Sequence, residues 1–181
     1  MEIRDAEEGD VPAIAAIYND AVAHTTAIWN DVPVDAANRA AWLAERRRAG
    51  YPVLVAMDAG QGVAGYASFG DFRPFDGYRH TVEHSVYVRS DRRGRGVGKA
   101  LMAALIQRAR EIGKHVMVAA IEAGNAGSIR LHEHLGFVPV GHMTQVGAKF
   151  GQWLDLVFLQ LTLDARPAPE ERRSGLNSPP G

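Results

Sequence analysis

Apolar positions along the chain change period repeatedly, and each change marks an element. Val82 to Val88 alternates and is rich in β-branched and aromatic residues, which reads as a strand. Val97, Leu101, Leu105 and Ile112 then recur at helical spacing. Extended this way, the pattern predicts strands over 2–5, 52–58, 62–71, 81–88, 115–121, 137–146 and 152–162. It predicts helices over 10–23, 35–49 and 126–135, a glycine loop and helix over 93–112, and loops over 24–33 and 72–80. Asp35 and Gly50 punctuate the second helix as cap and stop, and Asp58 to Gly62 is a hairpin turn signal. Asn125 is an N-cap, Leu131 and Leu135 share a helix face, and Gly136 ends that helix. Adjacent hairpins with helices between other strands indicate an α+β domain with a mixed sheet. Arg46, Arg47 and Arg48 read as a solvated helix end. The expected organisation is one domain over 1–164 and a disordered, proline-rich tail over 165–181.

Composition narrows the functional classes. With 181 residues and 46% apolar content the chain can bury its own core. A net charge of −1 gives no general pull toward nucleic acid or anionic membrane. No run approaches a membrane span, and the start (Met1-Glu2-Ile3-Arg4) lacks a signal peptide's regions, so a cytoplasmic location is expected. There is no cysteine, which excludes a disulfide framework, cysteine-ligated zinc and a cysteinyl acyl intermediate.

The run Arg92-Arg93-Gly94-Arg95-Gly96-Val97-Gly98-Lys99 joins the strand to the helix. Three alternate glycines let backbone N–H groups converge, and the helix dipole with four nearby cations makes a pyrophosphate cradle. A Walker loop needs glycine at 93 and Ser or Thr at 100, where Arg93 and Ala100 stand. The dinucleotide fingerprint needs a third glycine where Lys99 stands. Arg93-x-x-Gly96-x-Gly98 does resemble the coenzyme A loop of the GNAT acetyltransferases, Q/R-x-x-G-x-G/A. Asn125 to Phe137, an Asn after a strand followed by a short helix ending in Gly-Phe, resembles their second signature. Further segments (Ile3 to Ala6, Ile17 to Val22, Thr25 to Trp29, Gly70 to Phe75, Thr81 to Val88, Gln145 to Gly151) are similar to the phosphinothricin / methionine sulfoximine N-acetyltransferases, closest to the methionine sulfoximine and sulfone branch.

That resemblance implies a GNAT fold whose mostly antiparallel mixed sheet splays between strands four and five. It implies acetyl-CoA as co-substrate, a small amino-acid acceptor and a homodimer. It places the cofactor on Val86, Tyr87 and Val88, on Arg93, Gly94, Arg95, Gly96, Val97, Gly98 and Lys99, and on Asn125 and Ser128. Backbone N–H groups at Tyr87 and Val88 are expected to polarise the acetyl carbonyl.

Amide formation from a thioester needs a neutral amine and hence a base. Strand alternation puts Thr81, Glu83, Ser85 and Tyr87 on one face, and a carboxylate mid-strand is costly unless paired or functional. Glu83 is the candidate base, acting directly or through water; the competing reading is a salt bridge to Arg73 or Arg79. Arg73, flanked by Phe72, Pro74 and Phe75, could clamp an α-carboxylate, with Glu83, His84 and Ser85 lining the amine side. Thr26, Trp29, Lys149 and Phe150 are candidates to close the pocket. His132 stands where many relatives carry a tyrosine that protonates the leaving thiolate, and is either that acid or a satisfied helix residue. His132 and His134, two apart on a helix, cannot converge on a metal, and none is expected. Beside amino-acid N-acetylation, two alternatives stay open: a protein N-terminal or lysine acetyltransferase, and a non-catalytic acyl-CoA sensor.

Overall fold

The computed structural model describes residues 1–169. Its elements run β1 (Glu2–Asp5), α1 (Val11–His24), α2 (Ala36–Arg48), β2 (Val53–Asp58), β3 (Gly62–Asp71), β4 (Thr81–Val88), α3 (Val97–Glu111), β5 (Val116–Glu122), α4 (Ala126–His134), β6 (Val138–Lys149) and β7 (Gln152–Thr162). One seven-stranded sheet has the order β1-β2-β3-β4-β5-β7-β6, and only β4–β5 is parallel. The α+β architecture and mixed, mostly antiparallel sheet are those expected.

The sheet is covered on both faces. Val82 of β4 and Met117 of β5 pack with Leu101, Met102 and Leu105 of α3, all fully buried. On the other face Val55, Tyr66 and the partly buried Tyr87 meet Ile14 and Ile17 of α1 and Leu43 of α2. The β4–β5 ladder joins Thr81, Val82 and Glu83 to Val116, Met117 and Val118, and there the pairing stops. Beyond Glu83 the two strands part, which is the expected splay.

Local chemistry explains the boundaries. Asp35 accepts from the Asn38 N–H at 2.8 Å and Asn125 from the Ser128 N–H at 3.1 Å, so both act as N-caps. Within the glycine loop and helix expected over 93–112, the helix begins at Val97, because Gly94 (φ +73°) and Gly96 (φ +80°) are left-handed and cannot join a right-handed helix. β6 runs beyond 146 to Lys149, broken by register shifts between Pro139 and Gly141 and between Met143 and Gly147.

The basic end of α2 is not simply solvated. Arg47 donates to the Ala6 carbonyl at 2.6 Å, and Arg46 lies half-buried against the sheet. At the far end, Arg166 donates to the Gly113 carbonyl at 2.8 Å and bonds Asp164, so the packed chain continues past 164. The rest of the tail expected over 165–181 lies, from 170 onward, outside the described residues.

Candidate active site

A cleft of about 870 Å³ opens where β4 and β5 separate. Val86, Tyr87 and Val88 form its floor, and Arg93, Gly94, Gly96, Val97, Gly98 and Lys99 form one end. Asn125 and Ser128, at the start of α4, line the opposite wall. Arg95 is exposed and lies outside the lining.

Backbone direction follows from the ladder. Phe72 N–H donates to Thr81 O, and Arg89 N–H donates to Ala64 O, so the odd residues of β4 spend their groups on β3. Alternation then turns the N–H groups of Val86 and Val88 into the gap. Tyr87 N–H therefore faces β3, contrary to its expected role as an oxyanion donor, although Tyr87 still lines the cleft.

The end at α3 fits a pyrophosphate. Its first turn supplies unsatisfied N–H groups and the positive end of a 15-residue helix. A Cβ on Gly98 would rest in ordinary contact with Leu131, 3.4 Å away, so the start of α3 passes close to α4 here. Not all four cations are available. Arg92 is buried and spent on Asp58 (2.6 Å) and Asp91 (2.9 Å). Arg93 lies 3.7 Å from Asp20, while Lys99 is exposed beside the glycines.

Glu83 sits half-buried at the last paired position of the β4–β5 ladder. Its side chain makes no hydrogen bond or ion pair among the described residues, so neither suggested salt bridge forms. Burial raises its carboxyl above the ordinary value, and the positive charge of Arg73 opposes that rise. Arg73 itself is exposed, stacks on Phe72 at 4.1 Å and donates to the Phe72 carbonyl. Arg73, Pro74 and Phe75 do not reach the cleft, nor do Glu83, His84 and Ser85, which lie beyond its lining on β4.

His132 does not reach the cleft either. It is 1% exposed, with Nδ1 2.7 Å from the Ser128 carbonyl and Nε2 3.0 Å from His84 Nε2. Both of its ring nitrogens therefore have partners inside the packed structure. Lys149 is also turned inward, donating to the carbonyls of Val22, Thr25 and Ile28 at the end of α1. Its neighbour Phe150 does line the cleft, as does Thr26, whereas Trp29 packs its ring onto Gly147.

Sequence reasoning passes over Glu122. This cleft residue accepts from the Thr26 hydroxyl at 2.9 Å and the Gly124 N–H at 2.7 Å, tying the loop after α1 to β5. Its one sequence clue is its position three before Asn125. Among the described residues, no group of three or more His, Cys, Asp or Glu could hold a metal ion, and no helix is long and apolar enough to cross a membrane.

Known proteins are similar to this chain over nearly its whole described length. The chain is 66% identical over 168 residues to the L-methionine sulfoximine/L-methionine sulfone acetyltransferase of Pseudomonas paraeruginosa, covering 92% of this chain and 98% of that one. It is 40% identical over 164 residues to the phosphinothricin N-acetyltransferase of Alcaligenes faecalis, covering 90% and 83%. The structure of yncA from Salmonella typhimurium with its cofactor acetyl-CoA matches with a TM-score of 0.91 at 58% identity, over 94% of this chain and 98% of that one. The acetyltransferase (GNAT) family matches residues 14–137, and with these relatives it establishes that the chain belongs to that family of acetyltransferases.

Proposed function

We propose that this acetyltransferase moves the acetyl group of acetyl-CoA onto the α-amine of a small free amino acid, with L-methionine sulfoximine and L-methionine sulfone as its leading acceptors. The observation that carries this reading is Glu83, an unpaired, half-buried carboxylate placed where β4 and β5 part, beside a cleft suited to coenzyme A. The identity to the Pseudomonas enzyme, 66% against 40% for the phosphinothricin enzyme, supports the sulfoximine and sulfone branch.

Acetyl-CoA supplies the thioester whose acyl carbon the amine attacks. Glu83 takes the amine's proton, directly or through one water, so that a neutral nitrogen is presented. The N–H groups of Val86 and Val88 donate to the acetyl oxygen as negative charge develops there. Gly94 to Lys99 hold the pyrophosphate, and the Asn125 side chain, whose oxygen caps α4, offers its NH₂ to the pantetheine arm. With no cysteine to carry an acyl group, transfer is direct within a ternary complex: the C–N bond forms, the C–S bond breaks, and coenzyme A leaves as a thiolate that takes a proton from solvent while the nitrogen gives up its remaining extra proton.

Acetylation removes the positive amine by which a toxic amino-acid analogue is recognised, so the role is detoxification, in the cytoplasm. The working unit is a homodimer. Its support is the edge strand β6, where Val138, Val140, Met143 and Val146 stay exposed, with Trp153 exposed on the neighbouring β7.

The test is thiol release from acetyl-CoA with methionine sulfoximine, methionine sulfone, phosphinothricin and an unrelated peptide amine. Fast, saturable turnover of either of the first two supports the reading. Turnover of the peptide amine alone moves the activity to protein acceptors, and acetyl-CoA binding without turnover of any acceptor makes the chain a sensor.

A further inference from the structure

Beyond Glu83 and Val118 the backbones of β4 and β5 no longer hold each other, and the cleft opens between them. Glu122 is the last residue of β5, paired with Leu156 of β7 on its other side. Its Oε2 accepts from the Thr26 hydroxyl at 2.9 Å and its Oε1 from the Gly124 N–H at 2.7 Å. The first bond crosses the gap. Thr26 belongs to the loop that leaves α1, and α1 rides on β4 through Tyr18 and Tyr87, whose ring centroids are 6.5 Å apart.

The second bond shapes the facing wall. The Glu122 carbonyl accepts from the Asn125 N–H at 2.9 Å, so main chain and side chain of one residue close the turn that leads into α4. The carboxylate lies directly on that turn, since a Cβ on Gly124 would stand 3.0 Å from Oε1. Each wall is also fixed on its far side. The Thr26 carbonyl accepts from Trp29 Nε1 at 2.9 Å, and the carbonyls of Thr25 and Ile28 rest on the Lys149 ammonium. Asn125 Oδ1 is committed to the Ser128 N–H, which leaves its NH₂ for a ligand.

A carboxylate in the cleft of an anionic cofactor needs a reason. Against a pyrophosphate it would repel, whereas beside the neutral pantetheine arm it does not. Both oxygens of Glu122 are engaged by donors from the two walls, a double contact that an apolar side chain cannot make. Resting on the reading of this cleft as the acetyl-CoA site, we propose that Glu122 is a positioning residue for that cofactor. Through Thr26 and the Gly124–Asn125 turn it holds the walls at the spacing of the pantetheine arm. The arm then enters a preorganised slot and pays little to order it. Glu122 touches no reacting atom and acts through its two neighbours.

The experiment uses four variants. Thr26→Val keeps the shape and loses the hydroxyl, and Thr26→Ser keeps the hydroxyl. Glu122→Gln keeps both contacts, its amide oxygen accepting from Gly124 and its NH₂ donating to Thr26, whereas Glu122→Met keeps neither. Calorimetric titration with acetyl-CoA, urea unfolding and the KM for S-acetylpantetheine, a thioester without the pyrophosphate, are read for each. Thr26→Val should weaken acetyl-CoA binding about tenfold, the scale for one hydrogen bond to a charged group, and raise the KM for S-acetylpantetheine by a similar factor. Thr26→Ser and Glu122→Gln should stay within about twofold of wild type, because both contacts persist. Once Glu122→Met has removed the tie, adding Thr26→Val should cost no further affinity. Unchanged acetyl-CoA affinity in Thr26→Val, or losses that add in the double variant, overturn the proposal. So does a fall in folding stability, or a raised acceptor KM, with acetyl-CoA affinity intact. If Glu122→Met does not fold, the contrast between Thr26→Val and Thr26→Ser decides. Wild type that does not bind acetyl-CoA overturns the reading of the cleft itself.

Discussion

His84 of β4 and His132 of α4 stack with ring centroids 4.9 Å apart and their Nε2 atoms 3.0 Å apart, across the line where the β4–β5 ladder ends. Phe137 closes on both rings edge-on. The proton positions follow from the partners. His132 Nδ1 faces a carbonyl at 2.7 Å, which can only accept, so that nitrogen carries the proton. His132 Nε2 is then an acceptor, and His84 Nε2 donates to it. The bond joins α4, with Asn125 and Ser128 at its start, to the strand that carries Glu83.

Burial lowers the pKa of both rings, that of His84 to about 3. In the unfolded chain the same groups protonate near the ordinary value of 6.5. The unfolded state therefore binds more protons between those limits, and stability is full above 6.5 and declines as pH falls toward 3. For each histidine held neutral the slope approaches about 1.4 kcal/mol per pH unit. Denaturant unfolding at pH 7.5 and 5.5 should show that loss in wild type and a smaller one in His84→Gln, whose amide can still donate to His132. Nitrogen NMR should find His84 protonated at Nε2 and not titrating between pH 5 and 8; a titrating ring refutes the assignment.

Glu83→Gln removes the base and keeps the shape. Turnover at pH 7 should fall about 10²- to 10⁴-fold, the usual contribution of a positioned base, while acetyl-CoA affinity stays within about twofold of wild type, since Glu83 does not line the cofactor cleft. The carboxyl is raised by burial, so the ionised fraction, and with it kcat/KM, declines on acidification through a value above the ordinary 4.5. That acid limb should vanish in the glutamine variant. Equal losses of turnover and cofactor binding would remove Glu83 from the role of base.

Most of the fold was legible because its signals are local. Alternation marks β4, helical spacing marks α3, and Asp35 and Asn125 cap their helices as their types suggest. The glycine loop was legible for the same reason, since Gly94 and Gly96 do what only glycine does easily. What escaped was direction and partnership over long separations. Arg46 and Lys149 carry solvent-seeking charges, and nothing beside them in the chain announces the sheet or the end of α1. Likewise Arg92 and Lys99 look equivalent in sequence until Asp58, 34 residues away, claims Arg92.

Lys149 is 4% exposed and places its ammonium on three carbonyls, Val22 at 2.6 Å, Thr25 at 2.7 Å and Ile28 at 2.5 Å. A cation at a helix C-terminus satisfies groups that the helix leaves open. Lys149→Met keeps the stem and strips the charge, leaving buried carbonyls unsatisfied. Urea unfolding should record a loss of about 3 kcal/mol. Because Thr25, Thr26 and Ala27 line the cleft, the KM for acetyl-CoA should rise as well. A variant as stable as wild type would show that water replaces the ammonium without cost.

The exposed apolar strip on β6 and β7 offers a direct check on assembly. Trp153 is 70% exposed and Val138 56%, both near the free edge of the sheet. Light scattering after gel filtration should give twice the chain mass for wild type. Trp153→Glu and Val138→Glu together should shift the protein toward the single-chain mass with its circular dichroism intact. A wild-type protein already at single-chain mass at micromolar concentration would rule the dimer out.

Arg92 and Lys99 separate structure from binding within a single loop. Arg92 is buried, with its charge held by Asp58 and Asp91, so Arg92→Ala strands Asp58 and removes packing beneath the loop. The expected cost is about 2 kcal/mol of folding stability, somewhat below that of a fully buried pair because Asp58 and Asp91 remain partly solvated. Lys99 is exposed in the first turn of α3 and has no acidic partner among the described residues, so Lys99→Ala should leave stability within about 0.5 kcal/mol of wild type. Its loss should instead weaken acetyl-CoA binding about fivefold or more, and the deficit should shrink as salt rises, since an exposed charge acts through a screened field. Calorimetric titration with acetyl-CoA at two salt concentrations, beside urea unfolding of both variants, reads the two effects apart. A pattern in which Lys99→Ala loses stability while Arg92→Ala loses only affinity would reverse the assignment of these two cations.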